Sequence, residues 1–559
     1  MTNKTVFTIF TTITAIAVIC WFGVNYVTER LCDEVPQVSQ WEAFCLRGMV
    51  ALPLLFVLLI AHRRSDAHRV CDALMCCVIT VCAIEAVLSL MQLYGFEYSH
   101  HSLYKVTGTF YNPGPLGGFV ALGVPIAVHF FMIAEEKRKT VAVTGNALIF
   151  RQIQRYAIIL LIALLLIVLP STMSRTGWIA AVVGAAYVFA CMYDWRRLHL
   201  SRRMKMLLPA AVAVVVIVGV IGIWHMKRDS AMGRVFLWRI SAEAAMLSPL
   251  TGSATFAEAY SEAQEAYFER NMTNGDTSAC ADYVEVAGCP SYAFNEYLNV
   301  AIDWGIPVAL AVVALLAVAI VRGHKRKRYG AVGALLSLMV FAFASYPMHL
   351  PAFVAVLIVL IVSCLWPSAD DSRWWRLPPV ALLALVLALA AANYSRYAER
   401  HSAMAQWEKA QFFYNSHNYT TALKQYEAIS EDMKWNGVFM YEYGHMLHSE
   451  KFYEKSNEIL KSALHLTTDP MSLNIIGKNH QQMGQYGEAE KYFLRSVHRL
   501  PNRMYPHYLL FLLYLEKNFE NDVLCAEEAD IILNMKVKNE SEATQTMQRE
   551  VEERVKSRE

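Results

Sequence analysis

Charge is scarce in this chain. Asp, Glu, Lys and Arg make up 18% of its 559 residues against 56% apolar types, which excludes one soluble domain, and the length exceeds what a single core holds. The net charge of +2 indicates no partner by itself, because the charges are segregated by segment. Cysteine offers little framework. Most of the twelve, among them Cys71, Cys76, Cys77, Cys82, Cys191 and Cys364, lie in or beside apolar runs, where a thiol acts as a small hydrophobe. Cys280 and Cys289 form the only closely spaced pair elsewhere, and no histidine lies between them to complete a zinc set. No small-x-small cleavage site follows the first apolar run, so that run reads as a retained anchor.

The apolar residues cluster into eleven candidate spans, at about 6–26, 48–61, 70–94, 115–134, 156–171, 177–193, 206–224, 298–321, 331–346, 351–366 and 377–394. A bilayer core of about 30 Å takes about twenty residues at about 1.5 Å each. Alternate loops hold the basic residues: Arg63, Arg64 and Arg69; Lys137 to Lys139; Arg196 to Lys205; Arg322 to Arg328; Arg373 and Arg376. The opposite loops carry little beyond Arg30, Lys105 and Arg175. The positive-inside rule puts the basic loops in the cytoplasm, and the polar stretch 225–295 and everything after residue 394 outside. Disulfides persist on that side, so Cys280 and Cys289 are expected to bridge, a closure that stabilises by about 2–3 kcal/mol. The expected fold class is therefore all-α: a polytopic membrane helix bundle over 1–394 with a large outer loop at 225–295, then a soluble helical solenoid.

That solenoid is expected over 395–535. Tyr419–Ala422, Tyr453–Ser456, Tyr486–Ala489 and Phe519–Asp522 recur 33–34 residues apart, with an aromatic three positions before a small or short residue. The period resembles tetratricopeptide repeats, whose stacked helix pairs form a curved surface suited to a protein partner or to bracing another domain. The domain is not basic, which argues against nucleic acid. The charged stretch 536–559 reads as a solvated or frayed helix.

Four features on the outer side carry chemistry. Gly108-Thr109-Phe110-Tyr111-Asn112-Pro113 is a turn-rich entry into a span, which either presents the Asn112 amide or simply starts the helix. Ser174-Arg175-Thr176-Gly177-Trp178 places an arginine between two apolar runs, where a charge is costly unless it is paired or faces a polar cavity. Arg234, Trp238, Arg239 and Glu243 precede Pro249 and Gly252, and Arg234, Trp238 and Glu243 are spaced to share a helix face. A guanidinium fork suits phosphate oxygens taken in pairs. Ser291 to Leu298 opens the eighth span and sets Asn295 and Glu296 at the membrane edge.

In this order, Gly-Thr-Phe-x-Asn-Pro, Ser-Arg-x-Gly, Arg-x-x-x-Trp before Pro-x-x-Gly, and Asn-Glu-Tyr-Leu resemble the O-antigen ligase and polymerase superfamily over about residues 100–350, with Ser345-Tyr346-Pro347 fitting as well. A tetratricopeptide-like tail is also similar to that of protein O-oligosaccharyltransferases. The resemblance implies a membrane glycosyltransferase that takes a glycan from an undecaprenyl diphosphate carrier, without cofactor or metal. The glycan passes to a lipid A core sugar (in lipopolysaccharide), a protein hydroxyl or a growing polymer. It implies Arg175 and Arg234 as catalytic arginines; Arg239, Asn112, Asn295 and Trp238, which fall in the same motifs, and Tyr260 are expected to bind substrate. The family's ligases carry Ala-His-Asn at the mouth of the eighth span, where this chain has Ala293-Phe294-Asn295, and the family's glycine-rich loop is reduced here to Gly252-Ser253-Ala254. Glu296 is the nearest carboxylate to the vacant histidine position. It serves as the base only if the chain is not yet helical at Phe294, since two helical residues turn by about 200°. The competing readings are a transporter, for which Glu85 inside the third span is the best feature, and a catalytically idle scaffold displaying the repeats.

Overall fold

The computed structural model describes residues 67–140, 144–194, 228–253, 255–272, 280–366, 394–535 and 541–557. The expected spans 6–26, 48–61, 206–224 and 377–394 lie outside the described residues. Every regular element among the described residues is helical. By compactness the chain divides into two units, 1–223 with 310–397, and 224–309 with 398–559.

In the first unit, helices α1 (Ala67–Leu93), α2 (Pro113–Thr140), α3 (Asn146–Ser171) and α4 (Arg175–Met192) realise four of the expected spans. Helix α9 (Ile306–Lys325) crosses between the units in sequence, and α10 (Tyr329–Ala342) and α11 (Pro351–Leu365) follow it. The five longest are long and apolar enough to cross a membrane, and α10 and α11 are shorter apolar helices. Helix α2 is central: Phe119 to Leu122, Ile126 and Ala127 are all buried. Helices α3 and α9 instead leave Leu160, Leu166, Ile167, Leu310 and Val321 exposed, which gives them apolar faces suited to lipid.

Lipid supplies no hydrophobic drive between helices, so close packing of small residues must hold them together. A Cβ on Gly177 in α4 would come within 2.7 Å of the Gly117 carbonyl carbon in α2, so the two backbones touch there. The buried Ser337 hydroxyl of α10 donates to the Ala180 carbonyl of α4 at 2.7 Å. Phe353 of α11 stacks on Phe341 of α10 and meets Phe119 of α2 edge-on, closing the core.

The polar stretch expected as a loop is largely helical in the second unit: α5 (Arg228–Leu247), α6 (Phe256–Asn271), α7 (Ala281–Val286) and α8 (Glu296–Trp304). The eighth span does not begin at residue 298. Gly305, at φ 87° and with Leu250 backbone atoms closing on any added Cβ, breaks the run into α8 and α9, so that Asn295 and Glu296 open a separate amphipathic helix. After it come α12 (Tyr394–Asn415), α13 (Tyr419–Met433), α14 (Gly437–Ser449), α15 (Tyr453–Leu464), α16 (Met471–Gln482), α17 (Tyr486–Arg499), α18 (Met504–Tyr514), α19 (Asp522–Asn534) and α20 (Glu542–Lys556).

The repeated aromatics Tyr419, Tyr453 and Tyr486 each begin a helix, and their small partners Ala422, Ser456 and Ala489 are buried. From α13 to α20 each helix packs on the next, and α14, α16, α18 and α20 also touch in succession. Helix α6 packs against α17. There Arg499, itself buried, donates from Nε to Glu265 at 2.6 Å, and Arg495 pairs with the same carboxylate at 3.0 Å. Asn502 donates to the Val284 and Ala287 carbonyls, both at 3.0 Å.

Candidate active site

In the membrane unit the site is built from helix starts. Asn112 caps α2: its Oδ1 accepts from Gly114 N at 2.8 Å, Pro113 supplies the fixed φ of a first helical residue, and Asn112 Nδ2 donates to Tyr346 Oη at 3.4 Å. The helix-entry reading of this motif is therefore realised, with one amide donor still directed at Tyr346. The loop before it is clamped from α1. Glu85 accepts from Thr109 Oγ1 at 2.7 Å and Thr109 N at 3.1 Å, and Gln92 accepts from the amides of Thr107 and Gly108 at 2.9 and 2.8 Å. Gln92 was not singled out in the sequence, because its partners lie fifteen and sixteen residues away in a loop without periodicity.

Ser174 caps α4 by accepting from Gly177 N at 3.4 Å, and donates to the Gly114 carbonyl at 3.0 Å. Trp178 Nε1 donates to the Leu169 carbonyl at 2.7 Å, which pins α4 to the end of α3. The Ser-Arg-x-Gly motif is thus a packing device that brings the first turns of α2 and α4 together. Arg175, half-buried, stands at the first residue of α4. Two helix N-termini and a guanidinium concentrate positive potential there, suited to an anion. The cluster of basic residues on α2, Lys137 to Lys139, is at that helix's opposite end.

In the second unit Arg234 lies with its guanidinium 5.8 Å from the Phe294 ring centroid, and Trp238 Nε1 donates to the Phe294 carbonyl at 3.3 Å. Both α5 side chains thus hold the segment that carries the family's histidine position. Phe294 sits at φ 49°, in the left-handed region, and α8 begins only at Glu296. The chain is therefore not helical at Phe294, the condition under which Glu296 can stand in for the histidine. Asn295 caps α8, its Oδ1 accepting from Tyr297 N and Leu298 N at 3.1 and 3.2 Å. Glu296, 5% exposed, follows in the first turn. Burial, and then the Glu296 carboxylate, push the phenols of Tyr292 and Tyr297 above their ordinary range, so both remain proton donors beside it. These two tyrosines were missed in the sequence, where they read as span-entry aromatics.

The other expected residues lie elsewhere. Arg239 turns to the opposite partners, 4.9 Å over the Tyr267 ring and 5.7 Å over Tyr283, and pairs with Glu243 at 3.7 Å. Glu243 also accepts from Arg270 at 2.8 Å, so it does not share a target with Arg234 and Trp238. Tyr260 is 2% exposed and stacked on Phe256 in the core of the unit, which removes it from any substrate surface. The expected bridge between Cys280 and Cys289 is not formed. Both remain thiols, one at either side of helix α7 in sequence. Cys280 Sγ instead points to the Asn271 carbonyl at 3.8 Å, and burial pushes the Cys289 thiol up to about 12.

A helical membrane protein with one arginine at a helix start, another inside a helix against an aromatic ring, and a buried carboxylate in the first turn of a capped helix is the class these two clusters define. Residues 160–313, which hold Arg175, Arg234, Arg239, Phe294 and Glu296, match the family model described as O-antigen ligase. The match covers 154 of the 559 residues, and over that segment the chain is similar to an O-antigen ligase domain. No curated protein matches the chain significantly.

Proposed function

We propose that the protein transfers a glycan from an undecaprenyl diphosphate carrier to an acceptor hydroxyl on the outer side of the inner membrane. The bond between the anomeric carbon and the diphosphate oxygen breaks with its electron pair going to the diphosphate. The acceptor oxygen bonds to that carbon and gives up its proton. Arg175, at its helix start, and Arg234, on its aromatic support, are the arginines that oppose charge developing on the leaving group. A preorganised donor of this kind is worth about 3–4 kcal/mol. Glu296 takes the acceptor proton, and the Tyr292 and Tyr297 phenols orient it.

The observation that carries this reading is the junction at 294–296: a left-handed Phe294 beneath Arg234, then a capped helix start with a buried carboxylate. The basic ends of α2 and α9 support an outward placement of the opposite ends. The paired helices after α12 are read as a tetratricopeptide-like solenoid that braces the second unit, offers a surface to a protein partner, and ends in the charged tail. A transporter reading loses its best residue, because Glu85 is engaged with Thr109. A polymerase of the same superfamily uses the same chemistry and differs only in acceptor.

Purified full-length protein in liposomes, given a synthetic polyprenyl diphosphate glycan, should glycosylate one of three acceptors: core lipid, hydroxyl peptide or free glycan. Glu296→Gln should abolish turnover and leave donor binding unchanged. Wild-type turnover by Glu296→Gln places the base elsewhere, and no transfer to any acceptor removes the reading.

A further inference from the structure

The turn between α5 and α6 is tied to the point where α9 starts. Ile306 N, the first residue of that span, donates to the Pro249 carbonyl at 2.8 Å, and Ser253 N donates to the Ile302 carbonyl at 2.6 Å. Gly305 packs against the Leu250 backbone so closely that a Cβ would come within 2.5 Å of its oxygen. Three independent contacts therefore fix residues 249–253 to the end of α8 and the start of α9. Helix α9 runs as an apolar segment from Ile306 to the basic residues Arg322 and Lys325. The turn is consequently tied to the first turn of that apolar helix.

What the turn shows at that level is apolar. Leu250 is 76% exposed, Trp304 66%, Met246 65% and Leu247 53%, while Val308 and Leu310, one turn into the span, are also exposed. Such a run reaches the first turn of α9, where Val308 is exposed. Met246 and Leu247 also line one end of a groove of about 480 Å³ between α5 and α6, walled by alanines and closed by Glu243 and Arg270. Contiguous exposed apolar surface needs an occupant, and a tryptophan one residue before a span-starting hinge matches the amphipathic residues enriched where a membrane meets water.

We infer that Met246, Leu247, Leu250 and Trp304 form a membrane-insertion surface, seated in the leaflet at which α9 begins. The occupant is lipid, because the surface includes the first turn of an apolar helix long enough to cross a membrane. This surface holds the α8–α9 hinge at the bilayer boundary. It stands apart from the transfer chemistry, and its test needs no substrate.

The test uses full-length protein reconstituted in liposomes, with the photoreactive residue benzoylphenylalanine placed singly at Leu250, Met246 or Trp304. The last is an aromatic-for-aromatic exchange that guards against a misfolded variant. Controls carry it at Val523, 69% exposed in α19, and at Phe452. Irradiation should give lipid adducts at the three turn positions several-fold above both controls. Adducts to a second copy of the chain, or lipid labelling no greater than at Val523, overturn the inference.

Discussion

The two arginine clusters are held by opposite means. Around Arg175 the supports are the smallest available: Gly117 against Gly177, a serine cap, and a tryptophan pinned to a carbonyl. Around Arg234 they are large: Phe294 under the guanidinium and Trp238 on its carbonyl, in a unit whose core packs Phe236, Tyr267, Phe268 and Tyr283 together. In lipid, proximity of backbones supplies the attraction, and side-chain bulk would prise the helices apart. In the second unit, burying aromatic area supplies it. A substitution that adds a methyl group should therefore damage the first cluster, and one that removes a large or charged side chain should damage the second.

The largest expected effect tests the second half of that statement. Arg499 is buried and shares Glu265 with Arg495, so removing it leaves a poorly compensated carboxylate between α6 and α17. Arg499→Ala should destabilise the second unit by about 3–5 kcal/mol, measured as a shift in its unfolding midpoint. Replacing both partners, Glu265→Leu with Arg499→Met, should recover most of the loss, since no charge is then stranded. A double variant as unstable as the single one would show that packing shape, and not the ion pair, joins the helices.

Next come the arginines themselves. Arg175→Ala and Arg234→Ala should each cost roughly 10²–10³ in turnover, as loss of a preorganised donor does. Lysine keeps the charge but not the planar fork, so Arg→Lys should still cost much of the activity at both positions. At Arg234 the lysine also gives up the planar contact with the Phe294 ring. Near-normal transfer by both Arg→Lys variants at normal expression would remove the diphosphate role and leave the arginines as structural.

Legibility in the sequence follows the same division. The described spans were visible because each needs a long apolar run, and the motif order pointed to the O-antigen ligase likeness that residues 160–313 show. The helix start at Asn112 was visible because a cap is local, whereas Ser174 was read only as part of an arginine motif between two apolar runs. The second unit was far less legible. Glu265 and Arg499 lie 234 residues apart, and no local pattern couples a polar stretch to a helix that distant. The eighth span looked continuous because Gly305 is one residue in a run of apolar ones, and its positive φ shows only in the fold. Spacing and the expected outer compartment joined Cys280 to Cys289, whereas both remain thiols in the fold. Tyr260 was taken for a substrate-binding residue because an aromatic-rich polar helix does not announce which face it buries.

A smaller effect tests the membrane half of the comparison. Gly177→Ala puts a methyl group within 2.7 Å of the Gly117 backbone, which cannot rotate away as a side chain can. Overpacking of this kind costs about 1–3 kcal/mol. The variant should lower the thermal midpoint of the detergent-solubilised protein and weaken transfer, because the first turns of α2 and α4 part. The same change at Gly487, which has open space around it, should leave both unchanged and serves as the control. Equal tolerance at the two glycines would mean that α2 and α4 do not depend on backbone contact.

The smallest effect separates support from chemistry at one residue. Asn295 caps α8 through its Oδ1, and its Nδ2 is the group that would meet a sugar hydroxyl. Asn295→Ala removes both functions and should cost about 1 kcal/mol of stability together with activity. Serine and aspartate preserve the cap, because either supplies an oxygen to the same backbone amides, but neither supplies the amide donor. If Asn295 only supports the helix that carries Glu296, Asn295→Ser and Asn295→Asp should keep both stability and turnover. If its amide touches substrate, the two variants should keep the unfolding midpoint while KM for the acceptor rises. Aspartate adds a further discrimination, since a second carboxylate next to Glu296 would raise the proton affinity of the pair and move the acidic limb of the pH–rate profile upward. An unchanged profile with an unchanged KM in both variants assigns Asn295 to the scaffold and leaves Glu296, with Tyr292 and Tyr297, as the polar groups at the head of α8 to be tested for contact with the acceptor.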